Sequence, residues 1–256
     1  MEKIAIFISD YGLKNRQYLI KQLEEFNSYK KYSIHIFLFY TDDLNIESYT
    51  NLTFTLLKYP LTIGERLTFE YRELLRDNLE KLIKLFDIFI AIENDILIKE
   101  KLVDVFYQHS FNIDTKQYAI GSLRFETCDN EKYLIDLSIN QNHHLNNIIN
   151  INNINYYLVD KNPHSAMNIF TKDQIVDLFG RSFSKHFISL ETSISEFYYS
   201  SSPICGWSCN NGIKKINPVE FFEYCLVHHL PNKYCKDKKF MDKYLIETYP
   251  FRKKEI

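Results

Sequence analysis

The chain has 256 residues, and its 31 Lys and Arg nearly balance 33 Asp and Glu for a formal charge of −2, so it lacks the basic excess that grips a nucleic-acid backbone. Hydrophobic residues make up 45%, Tyr and Phe are abundant at 19 and 20, and Gly and Pro are scarce at six each, which excludes a disordered or fibrous chain. The length suits one large α/β domain or two small ones.

In chain order, Ile4 to Ile8 reads as a first strand ending in Ser9-Asp10. That apolar run is too short for a signal peptide or a membrane span, and no transmembrane segment follows. Tyr11-Gly12 turns the chain into a helix over Asn15 to Phe26, spaced by Tyr18, Leu19, Leu23 and Phe26. Ser33 to Tyr40 is a second strand and Thr53 to Leu57 a third, closed by Tyr59-Pro60. Thr62 and Glu65 have the spacing of a capping box, and the helix it opens carries Leu67, Leu74, Leu75, Leu79, Ile83 and Phe86 on one stripe. This β-α-β-β-α-β rhythm is that of a nucleotide-binding α/β half.

The helix leads into Ile88 to Ile92, a short apolar run that fits a strand covered on both faces. The run stops at Glu93-Asn94-Asp95. Ligands of open α/β sheets bind at the carboxyl ends of strands, and two carboxylates there suit a hard divalent cation that in turn can hold a diphosphate. Strand alternation would turn Glu93 and Asp95 to one side of the crevice; a solvated strand-end turn is the alternative.

The second half is less regular. Ile96 to Ile98 is β-prone and a helix begins near Lys99 to Val103. Gln117 to Phe125 and Tyr133 to Ile139 read as strands, and the Asn-rich stretch Gln141 to Asn155, with His143-His144, as a surface loop. Thr171 to Gln174 caps a short helix through Phe179. Ser200 to Gly212 is a loop, Pro218 starts a helix running to about Leu226, and the charged segment from Leu230 wraps the surface.

The five cysteines, Cys128, Cys205, Cys209, Cys225 and Cys235, include no Cys-x-x-Cys pair, and no second pair matches Cys205 and Cys209 as a zinc site would need. They read as reduced thiols of a cytoplasmic protein. The richness in Ile, Asn, Lys and Tyr reads as AT-rich coding.

The order of these parts resembles a GT-A glycosyltransferase. Glu93-Asn94-Asp95 stands where that family carries its DxD-type motif. Ile120-Gly-Ser-Leu-Arg-Phe-Glu126, Asn162-Pro-His-Ser-Ala-Met-Asn-Ile-Phe170 and Leu226-Val-His-His-Leu-Pro-Asn-Lys-Tyr234 are similar to fragments of glycosyltransferase-like proteins. The likeness spans nearly the whole chain but rests on the order of short motifs, and Glu93 departs from the usual first Asp. It implies one GT-A-like α/β domain over 1–256, with a Rossmann-like nucleotide-sugar half (1–110) on a mainly parallel mixed sheet and an acceptor half (111–256). A large AT-rich virus would fit the composition, and the host cytoplasm or the virion would then be the location.

The resemblance further implies Mn²⁺ or Mg²⁺ on Asp95, with Glu93 meeting the metal or the ribose and a late His as a further ligand. His229 is preferred to His228, with capping of a helix end as the alternative. Ser9, Asp10 and Tyr40 are placed to meet base and ribose, with Glu93, Asn94 and Asp95 completing the donor site. Glu191, or else Glu196, is the candidate base that takes the acceptor's proton, unless it is an exposed loop residue. Arg124 and Glu126 could bind acceptor hydroxyls or pair with each other. Trp207, the only Trp, could stack on a sugar or pack in the core. Arg66 and Arg72 could reach phosphate, against a solvated helix face. The expected partners are a nucleotide-sugar donor, with UDP as carrier, and a glycan or other hydroxyl acceptor. A nucleotidyltransferase is a rival, although Ser9-Asp-Tyr-Gly12 is a poor phosphate loop. A non-catalytic binding or virion protein on a transferase fold is the other.

Overall fold

The computed structural model describes residues 1–44, 46, 49–135, 147–159, 166–182 and 214–235. Its centre is a sheet in the order β11-β4-β1-β2-β3. The strands are β1 (Lys3–Asp10), β2 (Ser33–Tyr40), β3 (Leu52–Lys58), β4 (Ile88–Glu93) and β11 (Met167–Thr171). The first four run parallel, and β11 lies antiparallel to β4 with Ile169 opposite Ile90. The chain leaves β1 toward β2 and β3, then crosses back to place β4 on the other side of β1. The carboxyl ends of β1 and β4 therefore flank a topological switch point.

Alternation along the strands explains the layers. Ile4, Ile6 and Ile8 of β1 and Ile88, Ile90 and Ile92 of β4 face α1 (Arg16–Asn27) and α3 (Glu100–Ser110), packing with Leu19, Leu23, Phe26, Leu102 and Phe106. Ala5, Phe7, Phe89 and Ala91 face the other way, onto Leu75 and Leu82 of α2 (Glu70–Leu85) and Ile175 of α4 (Lys172–Ser182). Each fully buried Ile or Phe here contributes about 1.5–3 kcal/mol. The apolar stripe of α2 is as expected, but its start is not. Thr62 and Glu65 lie in a 3-10 helix, Leu61–Phe69, interrupted by Gly64 at φ 56°, and the regular helix begins only at Glu70.

Two smaller sheets adjoin the central one. One runs β6 (Tyr118–Ile120), β12 (Lys214–Pro218), β10 (Ile154–Val159), β9 (Ile148–Ile151). The other runs β5 (Ile96–Leu97), β13 (Leu226–His229), β7 (Leu123–Cys128), β8 (Glu131–Leu134). The strand expected over Gln117 to Phe125 is thus two strands parted at Gly121-Ser122. Gly121 lies against Lys215, so close that an added Cβ would stand 3.1 Å from the lysine's own. Part of the expected Asn-rich loop is the β9–β10 hairpin. Asn152 and Asn153 turn it with φ of 50° and 66°, values that Asn tolerates and a two-residue hairpin turn requires. The expected helix from Pro218 is absent: Pro218 ends β12, a 3-10 turn spans Phe222–Cys225, and Leu226–His229 is a strand. The described residues are therefore α/β with mixed sheets. Among them no helix is long and apolar enough to cross a membrane.

Candidate functional site

The acidic cluster sits at the switch point. β4 ends at Glu93, and Asn94-Asp95 forms a turn before β5, so the two acids are not related by strand alternation as expected. Their placement comes instead from contacts to the turn. Gln22, fully buried on α1, sends Nε2 to the carbonyl oxygens of Glu93 (3.0 Å) and Ile96 (2.5 Å). Asn94 donates to Asp10 Oδ1 at 2.6 Å, tying the end of β4 to the end of β1. Arg16 lies 3.0 Å from Asp10 Oδ2, and it also donates to the carbonyls of Asp42 and Asp43 after β2. Burial pushes the Asp10 carboxyl up from its usual range, opposed by Asn94 and Arg16.

The last strand brings in the histidine. β13 pairs with β5, setting His229 opposite Ile96, and Leu230 N–H donates to the Asp95 carbonyl at 2.9 Å. Strand geometry sends the two histidines to opposite faces. His228 stacks on Phe125 (4.8 Å between centroids) and lies 3.2 Å from Asn232 Oδ1. His229 points inward, 3% exposed, with Nε2 3.5 Å from Asp95 Oδ2 and Nδ1 2.5 Å from Glu126 Oε1. Helix capping therefore accounts for neither residue. Burial lowers the pKa of His228. Burial also opposes charge on His229, but Asp95 and Glu126 outweigh it and raise the pKa.

Glu126 does not sit at the surface expected for an acceptor contact. It is 0% exposed, and its carboxylate accepts the backbone N–H groups of Lys233, Tyr234 and Cys235 at 3.1, 2.7 and 2.7 Å besides meeting His229. Burial works against its charge, but these partners hold its pKa below the ordinary value. Arg124, on the same face of β7, is buried too and contributes to the field at His229. Ser9 donates to the Leu67 carbonyl at 3.3 Å. Tyr40 is half-buried against the core at the end of β2. Arg66 is exposed, whereas Arg72 is buried, its guanidinium 5.8 Å from the ring centres of Phe69 and Tyr71, and not on a solvated face. Glu191, Glu196, Trp207, Cys205, Cys209 and His143-His144 lie outside the described residues.

The structure therefore brings together Asp10, Asn94, Asp95 and His229, and adds Gln22 and Arg16, which the sequence reading missed. A polar Gln22 inside the Leu19-Leu23-Phe26 stripe was the available signal.

Among the described residues no three His, Cys, Asp or Glu side chains converge as a ready metal centre. Asp95 and His229 nevertheless fit a divalent ion as a pair. Asp95 Oδ1 is buried without a hydrogen-bond partner among the described residues. The 3.5 Å between Asp95 Oδ2 and His229 Nε2 is comparable with the separation of roughly 3–3.5 Å for two donors each about 2.1 Å from one ion. An ion so held would take its remaining ligands from water and substrate, as Mg²⁺-type sites do. No family model matches the chain, and no curated protein matches it.

Proposed function

We propose that the chain is a metal-dependent glycosyltransferase of the GT-A type, moving a sugar from a nucleoside-diphosphate sugar, with UDP as the expected carrier, to an acceptor hydroxyl. The observation that carries this reading is the approach of His229 to Asp95 at the switch point. The strand order, with four parallel strands and an antiparallel one beyond β4, agrees with the same reading.

In this proposal residues 1–110 form the donor half and 111–256 the acceptor half. Asp95 and His229 would hold Mn²⁺ or Mg²⁺, and an imidazole ligand favours Mn²⁺. Such an ion, when bound, neutralises charge on the leaving diphosphate as a Lewis acid. The chain's own residues supply the positioning. Gln22 fixes the carbonyls on both sides of the Asn94-Asp95 turn, and Asn94 and Arg16 hold Asp10 at the neighbouring strand end. Ser9 and Tyr40 stand at the ends of β1 and β2, where base and ribose would lie. Glu191, or Glu196, would take the proton from the acceptor hydroxyl.

The test is thermal stability with UDP, GDP and CDP, each with and without Mn²⁺, on wild type and Asp95→Ala. A nucleotide at ~100 times its dissociation constant stabilises by about 2.7 kcal/mol. A shift that needs Mn²⁺ and vanishes in Asp95→Ala supports the donor site and names its base. No shift with any nucleotide would turn the reading toward a binding protein.

A further inference from the structure

We infer that Glu126 is a positioning residue that fixes the tautomer and direction of the His229 ring, so that Nε2 offers its lone pair beside Asp95. The inference rests on the metal reading of Asp95 and His229 proposed above.

The argument starts from donor and acceptor inventories. An ionised carboxylate only accepts, whereas a neutral imidazole carries one N–H and one lone pair. Glu126 is enclosed by β7 and the turn after β13, and its carboxylate meets donors there, the backbone N–H groups of Lys233, Tyr234 and Cys235 and the Cys235 thiol, besides the His229 ring nitrogen. Oε2 takes Tyr234 and Cys235 N–H, while Oε1 takes Lys233 N–H and faces His229 Nδ1. Three backbone donors fix both oxygens in place before the imidazole is considered. Nδ1 must then carry the hydrogen, and Nε2 is left bare in the neutral ring, on the side of Asp95 Oδ2. Carboxylates that accept from the far nitrogen of a metal-binding histidine orient the ring and strengthen the ligand, and their loss weakens metal binding about 10- to 100-fold.

The backbone partners of Glu126 follow His229 by four to six positions. The same carboxylate therefore anchors the turn that ends β13 and orients the histidine on it. Asn232, at φ 48°, closes this turn by accepting the Thr127 N–H at 2.9 Å.

Two measurements test the inference. The first is the ¹⁵N ring spectrum of His229 in the neutral form, without metal. Protonated Nδ1 and bare Nε2 are expected in wild type, with that preference lost in Glu126→Gln. The second is Mn²⁺ alone, titrated by electron paramagnetic resonance into wild type, Asp95→Ala, Glu126→Gln and Glu126→Asp. Glu126→Gln is expected to bind about 10- to 100-fold more weakly than wild type, with Glu126→Asp between them.

Binding lost in Asp95→Ala but unchanged in Glu126→Gln overturns this inference and leaves the metal reading standing. Wild type and Asp95→Ala that behave alike overturn the metal reading, and the positioning role with it. If Glu126→Gln does not fold, the wild-type spectrum decides alone, and a proton on Nε2 with Nδ1 bare overturns the inference.

Discussion

Gln22 Nε2 stands 3.0 Å from the carbonyl oxygen of Glu93, and the same nitrogen reaches the Ile96 carbonyl, so one amide on α1 brackets the turn that carries Asp95. The Asn94-Asp95 turn is too short to be held by a ladder of its own. Gln22→Leu keeps the volume and removes the donor, leaving the buried Ile96 carbonyl and the part-buried Glu93 carbonyl without it. It should cost about 1–3 kcal/mol in urea unfolding. A stability unchanged in Gln22→Leu would show that the bracket contributes nothing.

Asn94 plays the corresponding part between strands. Its 2.6 Å bond to Asp10 joins two groups that are almost wholly buried. Asn94→Ala strands a carboxylate already disfavoured by burial, with Arg16 as its remaining described partner. A loss of about 1–3 kcal/mol is expected. The double variant Asn94→Ala, Asp10→Ala should lose less than the sum of the singles, because each single already removes the one bond that the two side chains share. Additive losses in denaturant melts would mean that the two side chains do not interact.

The central sheet was legible because its code is local. Ile4 to Ile8 and Ile88 to Ile92 are short, largely β-branched or aromatic apolar runs that fit a doubly covered strand, and β2 spans the expected Ser33–Tyr40. The second half was less legible because distant partners decide it. Leu226–His229 has the apolar content of a helix end but becomes a strand because β5 and β7 are there to pair with it. Asn152-Asn153 looks like loop composition, yet its two left-handed residues make a hairpin. The Asp95–His229 approach could be guessed from motif order. The burial of Glu126 could not, since its backbone partners are set by the turn after β13 rather than by residue type.

One local signal did survive intact. Thr171 Oγ1 accepts the Gln174 N–H at 3.2 Å, and Gln174 Oε1 accepts the Thr171 N–H at 2.9 Å, the reciprocal bonds of a capping box at the start of α4. Thr171 also closes β11, whose antiparallel register on β4 it extends to Ile88. Thr171→Ala should cost about 1 kcal/mol by removing one side of the box, and Thr171→Ser should restore most of it. Equal melting temperatures for wild type and Thr171→Ala would refute a contribution from the cap.

His109 gives the fold an acid-sensitive point away from the proposed site. It is buried on α3, with Nδ1 2.9 Å from the Tyr156 hydroxyl and its ring edge-on to Phe221. Burial lowers its pKa, and the charge of Glu220 offsets this only in part. The unfolded ring titrates near 6.5, so below that pH the unfolded chain takes up a proton that the folded one refuses. The contribution of His109 is therefore complete above about 6.5 and is lost as pH falls from there through the folded pKa. His35 and His228 are shifted in the same direction and His229 in the opposite one, so His109 is one contribution to the wild-type profile among several. His109→Asn retains a polar group toward Tyr156 and removes the titration. Its stability should be lower at neutral pH, by about 1–3 kcal/mol, but should fall less steeply between neutral and mildly acidic pH. Parallel stability curves for wild type and His109→Asn would show that protonation of this ring does not drive the acid loss.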